Sequence, residues 1–451
     1  MRPAPPGWKR PLAALALVAA LAGADGPGPQ PHTLHFRVAA GKHDRSDSVV
    51  RFVVPADRLG PEVAAALADG PVATRVLDPA TPATAPATVA ELARGEDGSI
   101  GLTWLLPRPI PAGGEAAYTL DLDRPARDAA RPWTITAPEV RSSLHVKTDF
   151  RAVEVHHGGR TVFRYNSSPV EPPPPDMMNR KLVRSGYIHP AFSPGGALVT
   201  GDFSPFHPHH RGFFLAYVHT RWGAAAPDFW NIQDESGRIH AVGVDPPRVG
   251  PVAVRLVARH LWTAQNLPGV ENSMAGRTAV ALRERWEVEL YDVPGTPYWL
   301  FDLTSTQQAE THPLELLPHR YGGMAYRSAE PSVRGPIDVL TAEGRHRLDG
   351  DQKPTRWVDL TGPVAEGSPN YAGAMIADHP ANSDHPTVAR IHPITLPFFS
   401  YVPAHDRPLV IATDRSTVFR YRILIHDGRP DPALNDRIAA DFAEPVSVRL
   451  D

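Results

Sequence analysis

Imidazole, guanidinium and carboxylate side chains crowd one stretch of this 451-residue chain. It runs through Gly186-Tyr187-Ile188-His189-Pro190 and Gly201-Asp202-Phe203 to His207-Pro208-His209-His210-Arg211-Gly212-Phe213-Phe214, and closes on Asp228-Phe229-Trp230. Five of the 21 histidines fall between His189 and His219. An imidazole titrates near neutrality, so a cluster of them suits proton transfer or metal ligation. The prolines beside His189 and between His207 and His209 stiffen the backbone, which lowers the entropy lost in holding a constellation. On this reading His209 and His210 act as base or acid, and His189 orients one of them. Arg211 stabilises developing negative charge, and Asp202 fixes an imidazole tautomer from behind.

A second group is Glu315-Leu316-Leu317-Pro318-His319-Arg320-Tyr321-Gly322-Gly323-Met324. His319 or Tyr321 would be the opposing acid, presented at a strand end, and Arg320 would bind substrate. The bland alternative is a β-bulge with the glycines making the bend. A third group, Asp378-His379-Pro380-Ala381-Asn382, offers His379 and Asn382 as hydroxyl partners; such residues also form turns. Trp222, Trp230, Trp286, Trp299 and Trp357 are of the type that stacks on sugar rings, although most aromatics on alternating strands are core. His207 joins the substrate-binding set. It also opens a different chemistry: His207-x-His209 would put two imidazoles on one face of a strand, and with His210 they would hold a divalent metal.

Composition narrows the choice. The chain has no cysteine, which excludes disulfides, thiolate zinc sites, iron–sulfur clusters and cysteine nucleophiles. With 46 Lys+Arg against 49 Asp+Glu the net charge is -3, so no polyanion-binding surface and no nucleic-acid partner are expected. No phosphate-binding Gly-x-x-x-x-Gly-Lys-Ser/Thr loop, dinucleotide-binding Gly-x-Gly-x-x-Gly after a strand, or Gly-x-Ser-x-Gly elbow is present. No cofactor is firmly implied beyond the metal that the histidine cluster would take.

The elements that must position these residues read as strands. Leu34–Val38, Val49–Val54, Thr74–Leu77, Ile100–Leu106 and Tyr118–Leu122 alternate between turn signals, as in a small β-sandwich. Val153–Val155, Thr161–Tyr165, Val252–Val257, Arg285–Tyr291, Tyr298–Thr304 and Phe419–His426 continue the pattern in a larger unit. Helical periodicity is confined to Glu62–Ala68 and Pro432–Phe442. Arg2, Lys9 and Arg10, the apolar run Leu12–Ala22 and the small residues Ala22-Gly23-Ala24 read as a secretory signal over residues 1–24. No later run is long and apolar enough to span a membrane, so a periplasmic or secreted location is expected. The expected organisation is therefore a leader, an accessory β-domain over residues 25–138 and a large β-sandwich over residues 139–451. The fold class is all-β.

Tyr187-Ile188-His189-Pro190, the Gly201-Asp202 to Gly212 run, Asp228-Phe229-Trp230, Tyr321-Gly322-Gly323-Met324, Asp378-His379-Pro380-x-Asn382 and the closing Phe419–Arg422 to His426-Asp427-Gly428 together resemble the PmoA-like family of exported bacterial proteins. The resemblance covers roughly residues 140 to 430. It implies a large antiparallel sandwich similar to that of aldose mutarotases and some polysaccharide lyases, in which a concave sheet binds sugar. It also implies an exported enzyme using His/Tyr acid–base chemistry on a sugar or uronide, as an epimerase, lyase or hydrolase. The rivals are a divalent-metal enzyme built on His207, His209 and His210, and a glycan-binding protein without catalysis.

Overall fold

The structure, a computed structural model, describes residues 33–82, 87–123, 125–126, 129, 133–136, 152–173, 181–204, 207–265, 267, 278–330, 335–394 and 396–451. The expected secretory leader lies outside the described residues. The fold is all-β and antiparallel, as the alternating pattern requires.

The amino-terminal unit is a seven-stranded sheet with its own core of Phe36, Trp104, Tyr118 and their aliphatic neighbours. Two strands fall on the other side of the boundary expected at residue 138. Trp133–Thr136 already pairs with Val153–His157 of the large unit. Ser447–Leu450, at the far end of the chain, returns to pair with Thr33–Ala39. Neither short segment carries enough alternation to reveal its partner, because pairing between distant strands is decided by contacts that the local sequence does not encode.

The large unit packs two nine-stranded sheets face to face. The long strands Ala253–Ala264, Ala279–Tyr291, Tyr298–Ala309 and Thr417–Asp427 lie side by side in one of them. Phe301 of this sheet meets Phe163 and Phe213 of the other at ring-centroid distances of 5.6 and 6.1 Å, and Tyr401 stacks on Tyr421 at 5.9 Å. The inner face of the second sheet is thus defined by Phe163, Phe213, Tyr326, Phe399 and Tyr401. Trp357–Pro363 and Tyr371–Asp378 are almost wholly buried strands whose apolar runs lack period two. Strands covered on both faces lose the alternation that marks half-exposed ones.

The helix Pro432–Ala443 ties the two units together. Asp431 caps it, accepting from the Ala433 and Leu434 amides at 3.0 and 3.1 Å, with Pro432 in the first turn. Asp441 on this helix bonds Arg45 and Ser48 of the first unit, both at 2.7 Å.

Candidate active site

The site grows from the second sheet's outer face. Side chains alternate across a strand, so the residues between the inward aromatics point the other way. Register pairs Phe214 with Ala325, Arg327 with Phe398, and both Ala325 and Arg390 with Ser400. Phe214, Ala325, Arg327, Phe398, Ser400 and Arg390 therefore share the outer face. Gly212 permits the approach of its neighbour strand: a Cβ there would lie 2.1 Å from the Ile188 carbonyl oxygen.

Residues 201–204 and 207–211 belong to a loop that seats His210 on this face. Its histidines are not on a strand, contrary to the two-residue alternation expected for His207 and His209. The His210 amide donates to the His207 carbonyl at 3.0 Å, closing a turn with Pro208 at its second position. Proline pre-sets the backbone angle that such a turn needs. The turn brings the His207 and His210 rings into a stack at 5.1 Å, with His209 at 4.6 Å from His210 and 5.8 Å from His207.

Further rings extend the cluster at both ends. His392 lies 5.9 Å from His207. His210 stacks on Phe398 at 4.3 Å and meets Trp230 edge-on at 5.6 Å. Trp230 reaches Tyr321 at 5.5 Å, Tyr321 reaches His319 at 4.5 Å, and His319 reaches His219 at 6.2 Å. Asp228 sets the Trp230 corner by accepting from the Trp230 and Asn231 amides, both at 2.8 Å. Gly323 lets the strand after Tyr321 pass under Tyr401, whose carbonyl would lie 2.2 Å from a Cβ.

The imidazoles are held neutral. Burial is the main cause, followed by the neighbouring His207 and the positive charge of Arg211, Arg184 and Arg327, and it pushes His209 from 6.5 down to about 3. Burial, with Arg390, His207, Arg347 and Arg327 nearby, takes His392 to about 4. His207 and His210 are lowered for the same reason, as is His319 beside His219 and Arg320. Several buried polar atoms in this region lack a partner: Nδ1 of His207, Nδ1 of His210, Nε1 of Trp230, Nε2 of His319 and Oγ of Ser400.

Other expected site residues are engaged elsewhere. The Arg211 side chain is 0 % exposed; its Nη1 donates to Asp202 at 2.6 Å and to the Pro208 carbonyl at 2.8 Å, and its Nη2 donates to the Leu182 carbonyl. It clamps the histidine loop and cannot reach a developing charge in the cleft. Asp202 accepts from Arg211 and, at 2.8 Å, from the Tyr187 hydroxyl, so it fixes no imidazole tautomer. His189 Nδ1 bonds Thr200 Oγ1 at 2.9 Å, so the ring is oriented by a hydroxyl and orients neither His209 nor His210 through that nitrogen. Trp230 is 0 % exposed and Trp222, Trp286 and Trp357 are also buried, so these four are packing groups with no open stacking surface.

The third group sits apart. Asn382 donates to Asp378 and to the Arg420 carbonyl and accepts from the Arg420 amide, each at 2.7 Å, which locks a loop to the strand Thr417–Asp427. His379 accepts from the Ala381 amide at 3.0 Å and its ring meets Phe442 at 4.7 Å. Neither belongs to the histidine cleft. Arg320 is exposed, with its guanidinium 5.9 Å from the Tyr321 ring. Among the described residues no three His, Asp or Glu side chains are placed to hold a metal ion.

Arg327, His392, Phe398 and Ser400 are site residues that residue type and spacing did not single out. Counting alternate positions from Gly323 would have put Arg327 on the face beside the histidines. A separate cleft of about 940 Å³ lies between the two units, lined by Arg94, Glu96, Asp245 and Arg255 among others. Its Glu96, Asp245 and Arg255 are committed to ion pairs with Arg285, Arg259 and Glu287. The histidine cluster, with its unpaired buried polar atoms, is the better candidate.

Among the described residues no helix is long and apolar enough to cross a membrane. No curated protein matches the chain. A solved structure of a protein in the glycosyl hydrolase family 38 from Enterococcus faecalis is similar at 10% identity and a TM-score of 0.40, covering 93% of this chain and 47% of that one. The chain thus spans about half of that protein's length. Residues 152–440, which carry both large sheets' central strands and every residue of the histidine cleft, match a protein family, and the chain belongs to it: the family of unknown function DUF6807.

Proposed function

We propose that this protein is an exported carbohydrate-active enzyme that moves protons on a sugar or uronide, as an epimerase, lyase or hydrolase. The observation that carries the reading is the run of ring contacts from His392 through His207, His209 and His210 to Trp230, Tyr321 and His319. Such a run supplies proton acceptors at one end and a phenol and an imidazole at the other. A neutral imidazole can accept a proton without first losing one, and His209, half-buried, is more accessible than the enclosed His210. Tyr321, half-buried beside His319, is the opposing donor; Asn231 Nδ2 donates to its hydroxyl at 3.5 Å. The resemblance to exported PmoA-like proteins supports the same location and substrate class.

The test is turnover on neutral and uronic-acid glycans by the purified chain and by His209→Asn and Tyr321→Phe. Loss of about 100-fold or more in kcat for each variant is expected, the usual range for a positioned acid or base. Turnover unchanged in both variants, on a substrate the wild type converts, would remove the catalytic role of the cleft.

A further inference from the structure

One carboxylate crosses from the amino-terminal unit into the large one. Ala90 and Leu92 of the strand Thr88–Arg94 belong to the first unit's own core. Side chains alternate, so Glu91 and Ala93 leave the opposite face of that strand, toward the large unit. Glu91 is buried, and its Oε2 accepts from the Val252 and Ala253 amides at 3.1 and 3.0 Å, where the strand Ala253–Ala264 begins. Gly250 makes the socket: a Cβ there would collide with the Glu91 carboxylate.

Among the described residues no Lys, Arg or His forms an ion pair with Glu91. The charged groups that face it are Arg51, from the edge strand Val49–Val54, and Glu289, from Ala279–Tyr291. They pair with each other at 2.8 Å, and Arg51 also donates to the Tyr291 hydroxyl, so this cation is already engaged. The strands on either side of Glu91 set Ala73 and Thr103 opposite it, neither of them charged. Burying an unpaired carboxylate costs more than two amide hydrogen bonds return. Burial accordingly pushes the Glu91 carboxyl up from 4.5 to about 7; the two amides and Arg51 oppose the rise, and Glu289 adds to it.

The same contact lies beside the cleft of about 940 Å³ between the units. Ala93, Arg94, Gly95 and Glu96 carry the Glu91 strand onward along one wall, and Arg248 and Val249, just before Gly250, belong to the other. Separating Glu91 from the Val252 and Ala253 amides would draw these walls apart and bring water to the carboxylate.

We propose that Glu91 is a proton-operated latch: protonated, it holds the two walls of this cleft together, and ionised, it lets them part. The latch is independent of the chemistry assigned to the histidine cluster. A carboxyl that holds its proton more tightly when docked than when free favours docking most fully below pH 4.5. That advantage is lost as pH rises through about 7. Each pH unit between the two values is a tenfold change in the docking equilibrium, on the order of 100-fold in all. The ion pairs Arg45–Asp441 and Arg285–Glu96 bridge the units without Glu91, so the release is local.

The experiment is amide hydrogen exchange read by mass spectrometry on the full chain at about pH 5 and about pH 8.5, corrected for the intrinsic pH dependence of exchange. The comparison is with Glu91→Gln, which keeps the shape and an acceptor oxygen but carries no charge at either pH. In the wild type, protection of peptides containing Val252 and Ala253 is expected to fall on the order of 100-fold between the two conditions. In Glu91→Gln it should change by less than about threefold, because nothing in the socket then titrates. No fall in the wild type overturns the latch. An equal fall in both proteins also overturns it, since another group would then operate the joint. If Glu91→Gln does not fold, the wild type is judged against its own buried strand Tyr371–Asp378. A fall confined to the Val252 and Ala253 peptides supports the latch, and a fall shared with that strand overturns it.

Discussion

His210 lies stacked on Phe398, ring centroids 4.3 Å apart and planes 20° from parallel. One residue comes from the loop, the other from a sheet strand nearly two hundred positions later, and their contact seats the histidine turn on the sheet. Phe398→Ala is therefore expected to free the turn. Turnover should fall by about tenfold or more through misplacement of His209, whereas Phe398→Leu, which keeps apolar bulk, should recover most of it. Steady-state kinetics of the two variants checks this.

Acid should destabilise the fold through the same cluster. His209 and His392 titrate at about 3 and about 4 in the folded chain against 6.5 when unfolded. Between those values the unfolded state binds more protons, so the stability they confer is complete above about pH 6.5 and is lost as pH falls toward 4. Thermal unfolding from pH 8 to 4 should show this limb, and His209→Asn with His392→Asn should flatten it.

His426 has the opposite sign. Burial opposes its charge, but Asp359, 3.2 Å away, holds the imidazole pKa above the usual value. The Asp359 carboxyl, equally buried, is in turn held below its own usual range by His426. The histidine's contribution is most complete below its unfolded pKa and is lost as pH rises through the raised value. His426→Gln is expected to lower stability at pH 6 more than at pH 9, measured by urea denaturation.

The joint between the two units depends on a buried ion pair. Arg45 and Asp441, with side chains 2% and 3% exposed, meet at 2.7 Å, and Arg45 also donates to the Ala40 and Glu444 carbonyls at 2.7 Å. Arg45→Met leaves Asp441 buried without its cation, a loss of about 3–5 kcal/mol. Chemical denaturation should report it, together with earlier proteolysis of the strand Ser447–Leu450.

Metal depletion gives a further separation. Dialysis against a chelator should leave both melting temperature and turnover unchanged, because among the described residues no three His, Asp or Glu side chains are placed to hold an ion. A loss restored by a divalent ion would return the cluster to the ligand role first expected of His207, His209 and His210.

Much of this architecture was legible in the chain itself. Alternation over segments such as Val49–Val54 and Tyr298–Thr304 marks strands wherever one face is wet, and those strands are present. The helix beginning at Pro432 announces itself through its Asp cap and proline. The crowding of His207, His209 and His210 around one proline anticipates that the three rings meet. Trp357–Pro363 was not legible, because burial on both faces removes the period that would reveal it.

Residue types and local periods alone thus establish an all-β chain, free of thiol chemistry, with a cluster of histidines gathered around one short loop. Which of those groups are free is a matter of the folded arrangement. Arg211 and Asp202 stand beside the histidines in sequence yet are consumed by each other, by Tyr187 and by backbone carbonyls. Arg327 and His392, more than a hundred residues downstream, take their place at the cleft. The reason is physical: residue type and local period fix what a side chain can do and which side of a strand it leaves. Hydrogen-bond saturation and burial are set by partners that pairing brings in from elsewhere.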